Sequence, residues 1–538
     1  MRSFISFHVL SRFCNVLYSC MVSILLTMSN TDVLIIGAGP SGLVLALWLT
    51  RQGVDVRIID KTELIPSTSR ALAVHARTLE LYRQLDLAED VVANGHKVEA
   101  TNIWSEGTHK AHIPLGDIGH GLTPYPFVHI YPQDRHEKLL EEKLNELGVN
   151  VERNRELVEF TQHDSHVTVR VKDGTSLDNS LVTYEASFIA GCDGSHSAVR
   201  HISDINFEGA AYEHLFYVSD IEGSGPVLNG QANLSFSKSE FALTFPYDEG
   251  HRARLVGAVD EQALTKEQSE LTLEDVAPRT INTMELHIDK VNWFATYKIH
   301  HRVAETFRKG RAFLVGDAAH IHSPVGGQGM NTGIGDAINL AWKLSAVVKA
   351  KADLALLDSY EAERRAFACT LVATTDRAFN AIISKGYISH FIRAWFFPYI
   401  MPYLVQFNFF RHGAFRSMSQ IMLNYRESFL SAGSAGDVHG GDRIPWVPVE
   451  EVDNFESLKA ITWQIHVYGS VKEELTEWCR SKGIPLHVFP WNEKYQAVGL
   501  GRDAAYLVRP DTYVAVAEPS GLPQDFEEHL KGVNIRVD

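Results

Sequence analysis

Cysteine is scarce. The five present (Cys14, Cys20, Cys192, Cys369 and Cys479) form no C-x-x-C pair and match no zinc-ligand spacing. That excludes a disulfide scaffold and a dithiol redox centre, and it fits a reducing, cytoplasmic compartment. The 25 histidines contain no H-E-x-x-H, and no metal site is assigned. Positive charge is also in deficit: 50 Lys and Arg against 66 Asp and Glu leave a formal charge of −16. Nucleic-acid binders need a basic footprint, so nucleic acid is not expected as a partner. No internal repeat is evident.

The 538 residues are 45% hydrophobic and 22% charged, ordinary for a globular chain of two or three packed units. Residues 1–30 read as an N-terminal extension. The first 28 carry Arg2 and Arg12, no acid, and an apolar run over residues 14–28 broken by Asn15 and Ser19. A membrane span needs about 20 apolar residues, so this run is short and impure. Three readings stay open: an over-extended start, with Met21 and Met28 as further starts, a targeting segment, or a membrane anchor.

Asp32-Val33-Leu34-Ile35-Ile36 has the continuous apolar run of a buried strand. Gly37-Ala38-Gly39-Pro40-Ser41-Gly42 follows, then a helix over residues 43–52 stopped by Gly53, then a strand over residues 54–60. In such a βαβ opening the first glycine makes the tight turn, the second lets backbone approach a pyrophosphate, and the third lets helix and strand pack closely. The helix N-terminus holds the phosphates. Asp60, 23 positions after Gly37, ends the second strand, where an acid accepts hydrogen bonds from ribose hydroxyls. This context predicts a dinucleotide without choosing between FAD and NAD(P).

A second motif makes that choice. Gly310-Arg311-Ala312-Phe313-Leu314-Val315-Gly316-Asp317-Ala318-Ala319-His320 ends a buried strand in Gly-Asp and continues as Pro324-Val325-Gly326-Gly327-Gln328-Gly329-Met330-Asn331 into a long helix over residues 327–351. Asp317 at the strand end can hold ribityl hydroxyls. The helix N-terminus favours the anionic charge of a reduced flavin. An NAD(P) domain has no need of this second site, so FAD is the expected cofactor.

Elsewhere a helix is expected over residues 136–147, strands over 155–188 and again over 205–300, and a short acidic helix over 272–276. Residues 386–412 are rich in aromatics, and Pro398 and Pro402 prevent one straight helix. They read as a packed helical connector or, alternatively, as a membrane-surface patch. Residues 433–441 are glycine-rich and read as a linker. Beyond them, residues 459–517 alternate as a small α/β unit.

Three ordered motifs resemble the class A flavoprotein aromatic hydroxylases, in particular the phenol hydroxylase and chlorophenol monooxygenase branch. They are the GAGPSG loop, the run Gly191-Cys192-Asp193-Gly194-Ser195-His196-Ser197-Ala198-Val199-Arg200, and the GDAAH…GGQGMN segment. Ser69-Arg70-Ala71, Arg77-Thr78-Leu79-Glu80 and Pro132-Gln133 also match, and Ala504 to Asp511 resembles the end of the family's C-terminal domain. The resemblance implies an α/β fold: a Rossmann-like FAD-binding domain, an inserted mixed β-sheet substrate domain and a small thioredoxin-like C-terminal domain. The implied FAD domain is 31–204 with 301–366, with 98–130 contributing to the substrate pocket. The substrate sheet is 205–300, a helical connector is 367–440, and the C-terminal domain is 441–538.

By the same resemblance Gly37, Gly39, Pro40, Ser41 and Gly42 bind the pyrophosphate side, with Asp60 and Lys61 at the adenosine ribose. Arg70 contacts FAD near the nicotinamide's approach, Gln133 lies near the ribityl chain, and Asp193 stabilises the Asp-Gly loop. Asp317 binds the ribityl chain, Pro324 sits beside the flavin ring, and Gly327, Gln328, Gly329, Met330 and Asn331 line its pyrimidine side. Asp-Gly pairs also make ordinary tight turns. Cys192 reads as packing.

The implied activity is hydroxylation of a phenolic or other aromatic substrate with NAD(P)H and O2 through a flavin C4a-hydroperoxide, NADPH being the family expectation. The substrate proton needs an acceptor. Tyr212, Tyr297 and His75 are candidates, with Tyr297 first because it leads back to the flavin strand. Other FAD chemistry on a hydrophobic substrate, as an epoxidase or reductase, stays open, as does a non-catalytic flavin-binding protein. A homodimer is also left open. The sequence has no redox cysteine pair near the first domain, as disulfide reductases need, and no W-x-W-x-I-P stretch of flavin halogenases.

Overall fold

The computed structural model describes residues 29–66, 71–176, 180–237, 241–259, 266–383, 386–448 and 453–537. Its first sheet is built on Ser29–Ile36, where Val33, Leu34 and Ile35 have no exposed surface. A strand covered on both faces needs an unbroken apolar run rather than alternation. It pairs in parallel with Val56–Ile59 on one side and Leu181–Gly191 on the other. Ala312–Leu314 extends the sheet beyond Leu181–Gly191, and Val151–Glu152 lies beyond Val56–Ile59. Arg155–Gln162 and Val167–Asp173 join as an antiparallel pair.

The helix Pro40–Arg51 packs against Gln133–Glu146 and Gln328–Val348, and all three share one core with this sheet. Pro40 at the first helical position costs no hydrogen bond, because that N–H has no partner within a helix.

The second sheet has eight strands. Its spine is the antiparallel pair Phe207–Ser224 and His287–Ala304, interrupted by bulges. It continues through Arg252–Ala258, Phe241–Pro246 and Ala232–Phe236 to Ala100–Ser105 and Thr108–Pro114. Residues 100–114 thus leave the first unit to complete the sheet. It reaches past residue 300 as well, because His287–Ala304 pairs with His320–Ile321. The expected short acidic helix is Leu273–Val276, closed by a capping box between Thr272 and Asp275.

A 26-residue helix, Asp358–Ile383, follows. Next come Tyr387–Phe391, a π-helical stretch Ile392–Ile400, Met401–Leu404 and Asn408–Met418. Pro398 lies within the π-helical stretch, where wider turns absorb its missing donor.

The third sheet corrects one expectation. Residues 433–441 are no linker: Ala432–Ala435 pairs in parallel with Val514–Glu518, and Val438–His439 turns back on it. The sheet runs from there through Val514–Glu518, Ala505–Val508 and Gln464–Tyr468 to Leu486–Phe489. Among the described residues no helix is long and apolar enough to cross a membrane. No group of three or more His, Cys, Asp or Glu there could hold a metal. Residues 1–28, with the apolar run, lie outside the described residues.

Candidate active site

The glycine loop joins the strand Ser29–Ile36 to the helix Pro40–Arg51 with Gly37 at φ +102°. A Cβ there would stand 2.4 Å from the Cys192 carbonyl oxygen, so only glycine allows the GAGPSG loop and the Gly191–Asp193 segment to touch. Gly39, by contrast, faces open space, with no atom within 4 Å of a Cβ position. Gly42 packs against the Gly37 carbonyl. Asp60 Oδ2 accepts from Ala38 N–H at 2.7 Å, and its Oδ1 accepts from Thr62. Adjoining Lys61 is exposed.

Asp193 Oδ2 accepts from the Ala198 and Val199 N–H groups at 2.6 and 3.2 Å, closing the turn that starts a short helix. Burial raises its pKa. Cys192 is a packed thiol whose pKa burial pushes well up, as its reading as packing expected.

The Gly316-Asp317 turn meets the glycine loop through Ser41. Ser41 Oγ lies 2.7 Å from a Cβ position on Gly316 and 2.4 Å from one on Gly333. One hydroxyl thus fills the gap left by two glycines, and both motif ends rest on the helix Gln328–Val348. Asp317 projects from this turn and is exposed. Behind it, Asp336 Oδ2 accepts from Gly316 N–H at 3.2 Å and lies 2.7 Å from His320 Nε2, while Oδ1 accepts from Arg364 Nε at 2.6 Å. Burial works to raise the Asp336 pKa, but Arg364 and His320 outweigh it and hold the carboxyl below its usual range.

Pro324 and Gly327 are exposed, Gly329 and Met330 half-buried, and Gln328 buried. Asn331 differs in kind. Its Oδ1 accepts from His75 N–H and Thr78 Oγ1, and its Nδ2 donates to the Ala73 and Gly327 carbonyls. With its side chain so occupied, it stitches residues 73–78 to the glycine turn. His75 Nε2 donates to the Gly326 carbonyl at 2.9 Å, and burial lowers its pKa to about 4. Gln133 pairs both ways with Ala71: its Oε1 accepts from Ala71 N–H, and its own N–H donates to the Ala71 carbonyl. Its Nε2 donates to Glu137, whose carboxyl burial raises to about 7. Arg70 lies outside the described residues.

His322 went unassigned in the sequence, although it stands inside the second motif. Its Nδ1 donates to the Ser323 carbonyl at 2.7 Å. Its Nε2 is buried with no hydrogen-bond partner among the described residues and points toward Gly329, 3.8 Å from a Cβ position there. Burial lowers its pKa to about 4. With the ring neutral and its one N–H on Nδ1, Nε2 is an acceptor. An unpartnered buried polar group costs about 1–3 kcal/mol, and a ligand N–H or O–H beside Gly329 would remove that cost. The open space at Gly39, the exposed Asp317 and this idle nitrogen fit a flavin nucleotide spanning the two motifs.

Tyr297 sits on the strand His287–Ala304 and packs on an aromatic cluster that includes Phe216, Phe236, Phe241 and Phe379. Its ring centroid is 6.3 Å from that of Phe216. Ala304, at the end of this strand, donates to the Ala319 carbonyl at 2.7 Å, so the strand runs from the cluster to the Gly316 turn. Between them lies a polar group that no local motif announced. The Tyr212 hydroxyl donates to Asp376, and His301 Nδ1 is 3.4 Å from the same carboxylate. Burial first, then Asp376, raises the Tyr212 pKa. Asp376 follows Thr375, whose carbonyl accepts from Ser323 at 3.5 Å, one residue before Pro324.

The architecture is the mixed α/β fold of FAD-dependent hydroxylase structures. The anhydrotetracycline hydroxylase of Streptomyces rimosus superposes with a TM-score of 0.74 at 27% identity, covering 95% of this chain and 99% of that one. A flavin-dependent monooxygenase in complex with FAD and substrate superposes with a TM-score of 0.79 at 20% identity, over 94% and 99%, a likeness of fold.

A family described as the FAD binding domain matches residues 30–375, and the chain belongs to it. It is 31% identical over 520 residues to the 6-methylpretetramide 4-monooxygenase of Streptomyces rimosus, covering 90% of each. It is 30% identical over 369 residues to the pentachlorophenol 4-monooxygenase of Sphingobium chlorophenolicum, covering 66% of each.

Proposed function

We propose that this protein is an FAD-dependent monooxygenase that hydroxylates a phenolic or other aromatic substrate with NAD(P)H and O2. The carrying observation is the three-way contact of Ser41, Gly316 and Gly333. It holds both nucleotide motifs on one helix, at the foot of a strand lined by aromatic side chains. Bound FAD would supply the redox chemistry, taking reducing equivalents from NAD(P)H and activating O2.

The protein's part is binding, exclusion of water and proton handling. Gly37, Gly39, Pro40, Ser41 and Gly42 would cradle the pyrophosphate, Asp60 and Lys61 the adenosine ribose, and Gln133 and Asp317 the ribityl chain. Pro324, Gly327, Gln328, Gly329, Met330 and the Asn331 backbone would border the flavin ring, with His322 Nε2 accepting from a ligand N–H or O–H. Asp193 would keep its loop closed, and Arg70 would meet FAD where the nicotinamide approaches.

Phe236 and Phe397, stacked at 5.1 Å, would shield the substrate face from water. The phenolic proton needs an acceptor. Tyr212, held protonated and bonded to Asp376, is a poor base itself but a good conduit, with Asp376 and His301 as the acceptor pair. Tyr297 would orient the substrate hydroxyl.

We read the C-terminal unit as thioredoxin-like. Gln464–Tyr468, a helix Glu473–Lys482 and parallel Leu486–Phe489 form a βαβ half. Antiparallel Ala505–Val508 and Val514–Glu518, then helix Gln524–Gly532, form the other half. Its lone Cys479 is buried and its pKa pushed up to about 12, so it has no thiol chemistry to offer.

A panel of phenols tests the function. NADPH oxidation should rise with the true substrate, and mass spectrometry should find product one oxygen atom heavier. Flavin bound without any stimulated oxidation would point instead to a non-catalytic flavin protein.

A further inference from the structure

We infer that the helical run 387–407 seats the protein on the surface of an anionic lipid bilayer. Six aromatics recur along it at every fourth position: Tyr387, Phe391, Trp395, Tyr399, Tyr403 and Phe407. Each is at least 49% exposed, and Tyr387 reaches 97%. The spacing keeps one line because the run mixes α turns with the wider turns of Ile392–Ile400. Neighbours in the line touch: Trp395 and Tyr399 centroids are 5.7 Å apart, and Tyr403 and Phe407 are 5.4 Å apart.

A second row, offset by half a turn, faces inward. Phe397, Met401 and Val405 pack on the aromatic cluster that carries Tyr297. The inner row accounts for the fold; nothing among the described residues covers the outer one. Exposed apolar surface of this extent marks an interaction site rather than ordinary solvent-facing surface.

Composition says what covers it. Tryptophan and tyrosine, apolar in body and polar at the tip, suit the headgroup boundary of a bilayer. From Arg377 to Arg426 the chain has no Asp or Glu but six Lys and Arg, in a protein of net charge −16. Arg393 is buried, Arg411 is paired with Asp117 at 3.0 Å and Arg426 with Asp442 at 2.7 Å, but Arg377 and Arg416 are exposed. Aromatic side chains flanked by cations and free of carboxylates match a negatively charged lipid surface. A two-fold dimer would lay the patch on itself and oppose like charges. The outer row on lipid and the inner row on the substrate cluster are opposite faces of one segment, which suits a substrate drawn from the bilayer.

The test uses full-length, FAD-loaded protein and two vesicle types, phosphatidylcholine alone and phosphatidylcholine with phosphatidylserine. Sedimentation with the anionic vesicles should exceed that with the neutral ones at least tenfold and weaken with added salt. Combining Trp395→Ser, Tyr399→Ser and Tyr403→Ser should lower binding at least tenfold, with flavin content and melting temperature unchanged. If that variant melts early, Trp395→Phe replaces it: quenching of tryptophan fluorescence by lipids brominated on their acyl chains should drop by at least half.

The inference fails if wild type stays in the supernatant, or if the triple variant sediments like wild type, which would put the seat elsewhere, such as residues 1–28. It fails equally if quenching is unchanged in Trp395→Phe. A wild-type dimer that the triple variant makes monomeric, with no vesicle binding by either, would assign the row to a second copy. Flavin content and phenol-stimulated oxidation are read separately, so loss of binding is not confused with loss of activity.

Discussion

Gly37 shows how one residue decides whether two segments can meet. Its φ of +102° and the Cys192 carbonyl 2.4 Å from any Cβ leave no room for a side chain. Gly37→Ala should cost about 1–3 kcal/mol in backbone strain and yield protein depleted in FAD, read as melting temperature and flavin absorbance per mole. Glu137 carries a pH signature. Its folded pKa, about 7, lies above the ordinary carboxyl value, so the folded state favours the neutral form. That contribution is present below the unfolded pKa of about 4.3 and is lost as pH rises through 7. Glu137→Gln should therefore gain roughly 1–3 kcal/mol over wild type at pH 8, with the gain gone by pH 4 in parallel denaturant titrations. Tyr297→Phe should uncouple NADPH oxidation from product or slow hydroxylation, read as the ratio of product to NADPH consumed. Unchanged coupling and rate on the true substrate would remove Tyr297 from the site.

The helix Gln328–Val348 is the element on which the site turns. At its first turns it presents the glycine turn through Asn331, and further along it carries Gly333 and Asp336 under the Gly316 turn. Asp336→Asn would strip the buried Arg364 of its carboxylate. Removing one partner of a buried pair typically costs about 3–5 kcal/mol, and here the loss should reach the flavin through Gly316. A lower melting temperature together with weaker FAD retention in dialysis is expected. Loss of stability without loss of flavin would make Asp336 a packing residue only. Because its folded pKa is depressed, its stabilisation is present above the unfolded carboxyl value and fades as pH falls through the folded one.

At the scale of the molecule, the C-terminal unit is tied to the flavin-binding unit by buried charge. Arg509 donates to Glu363 at 2.7 and 3.0 Å and to Asp511 at 2.9 and 2.5 Å, with no exposed surface. Lys343 reaches the same Glu363 at 2.8 Å, so helices from the first unit and a strand end from the last share one carboxylate. Burial works to raise the Glu363 pKa, but Arg509 and Lys343 outweigh it and hold the carboxyl well down. Arg509→Met leaves two carboxylates buried against one lysine. It should cost about 3–5 kcal/mol and split a single calorimetric transition into two. A single unshifted transition would show that other contacts join the units.

Much of the nucleotide site could be read directly from the amino-acid order. A glycine turn, a strand end and a helix start are local: a few adjacent residues set the backbone path, and the apolar run or the φ they require is written beside them. Gly37, Asp60, Gly316 and Asp317 were expected on that ground. Asp376 could not be, since its partner Tyr212 lies 164 positions away and an acid on a helix carries no mark of what it will face. Residues 433–441 look like a tether in isolation, and only the strand Val514–Glu518 arriving beside them gives their backbone groups partners. His322 was in plain view within its motif, yet its idle nitrogen emerges only once chain packing has taken water away from it. Short-range geometry needs neighbours in the chain, whereas pairing of buried polar groups needs neighbours in space, and those exist only after folding.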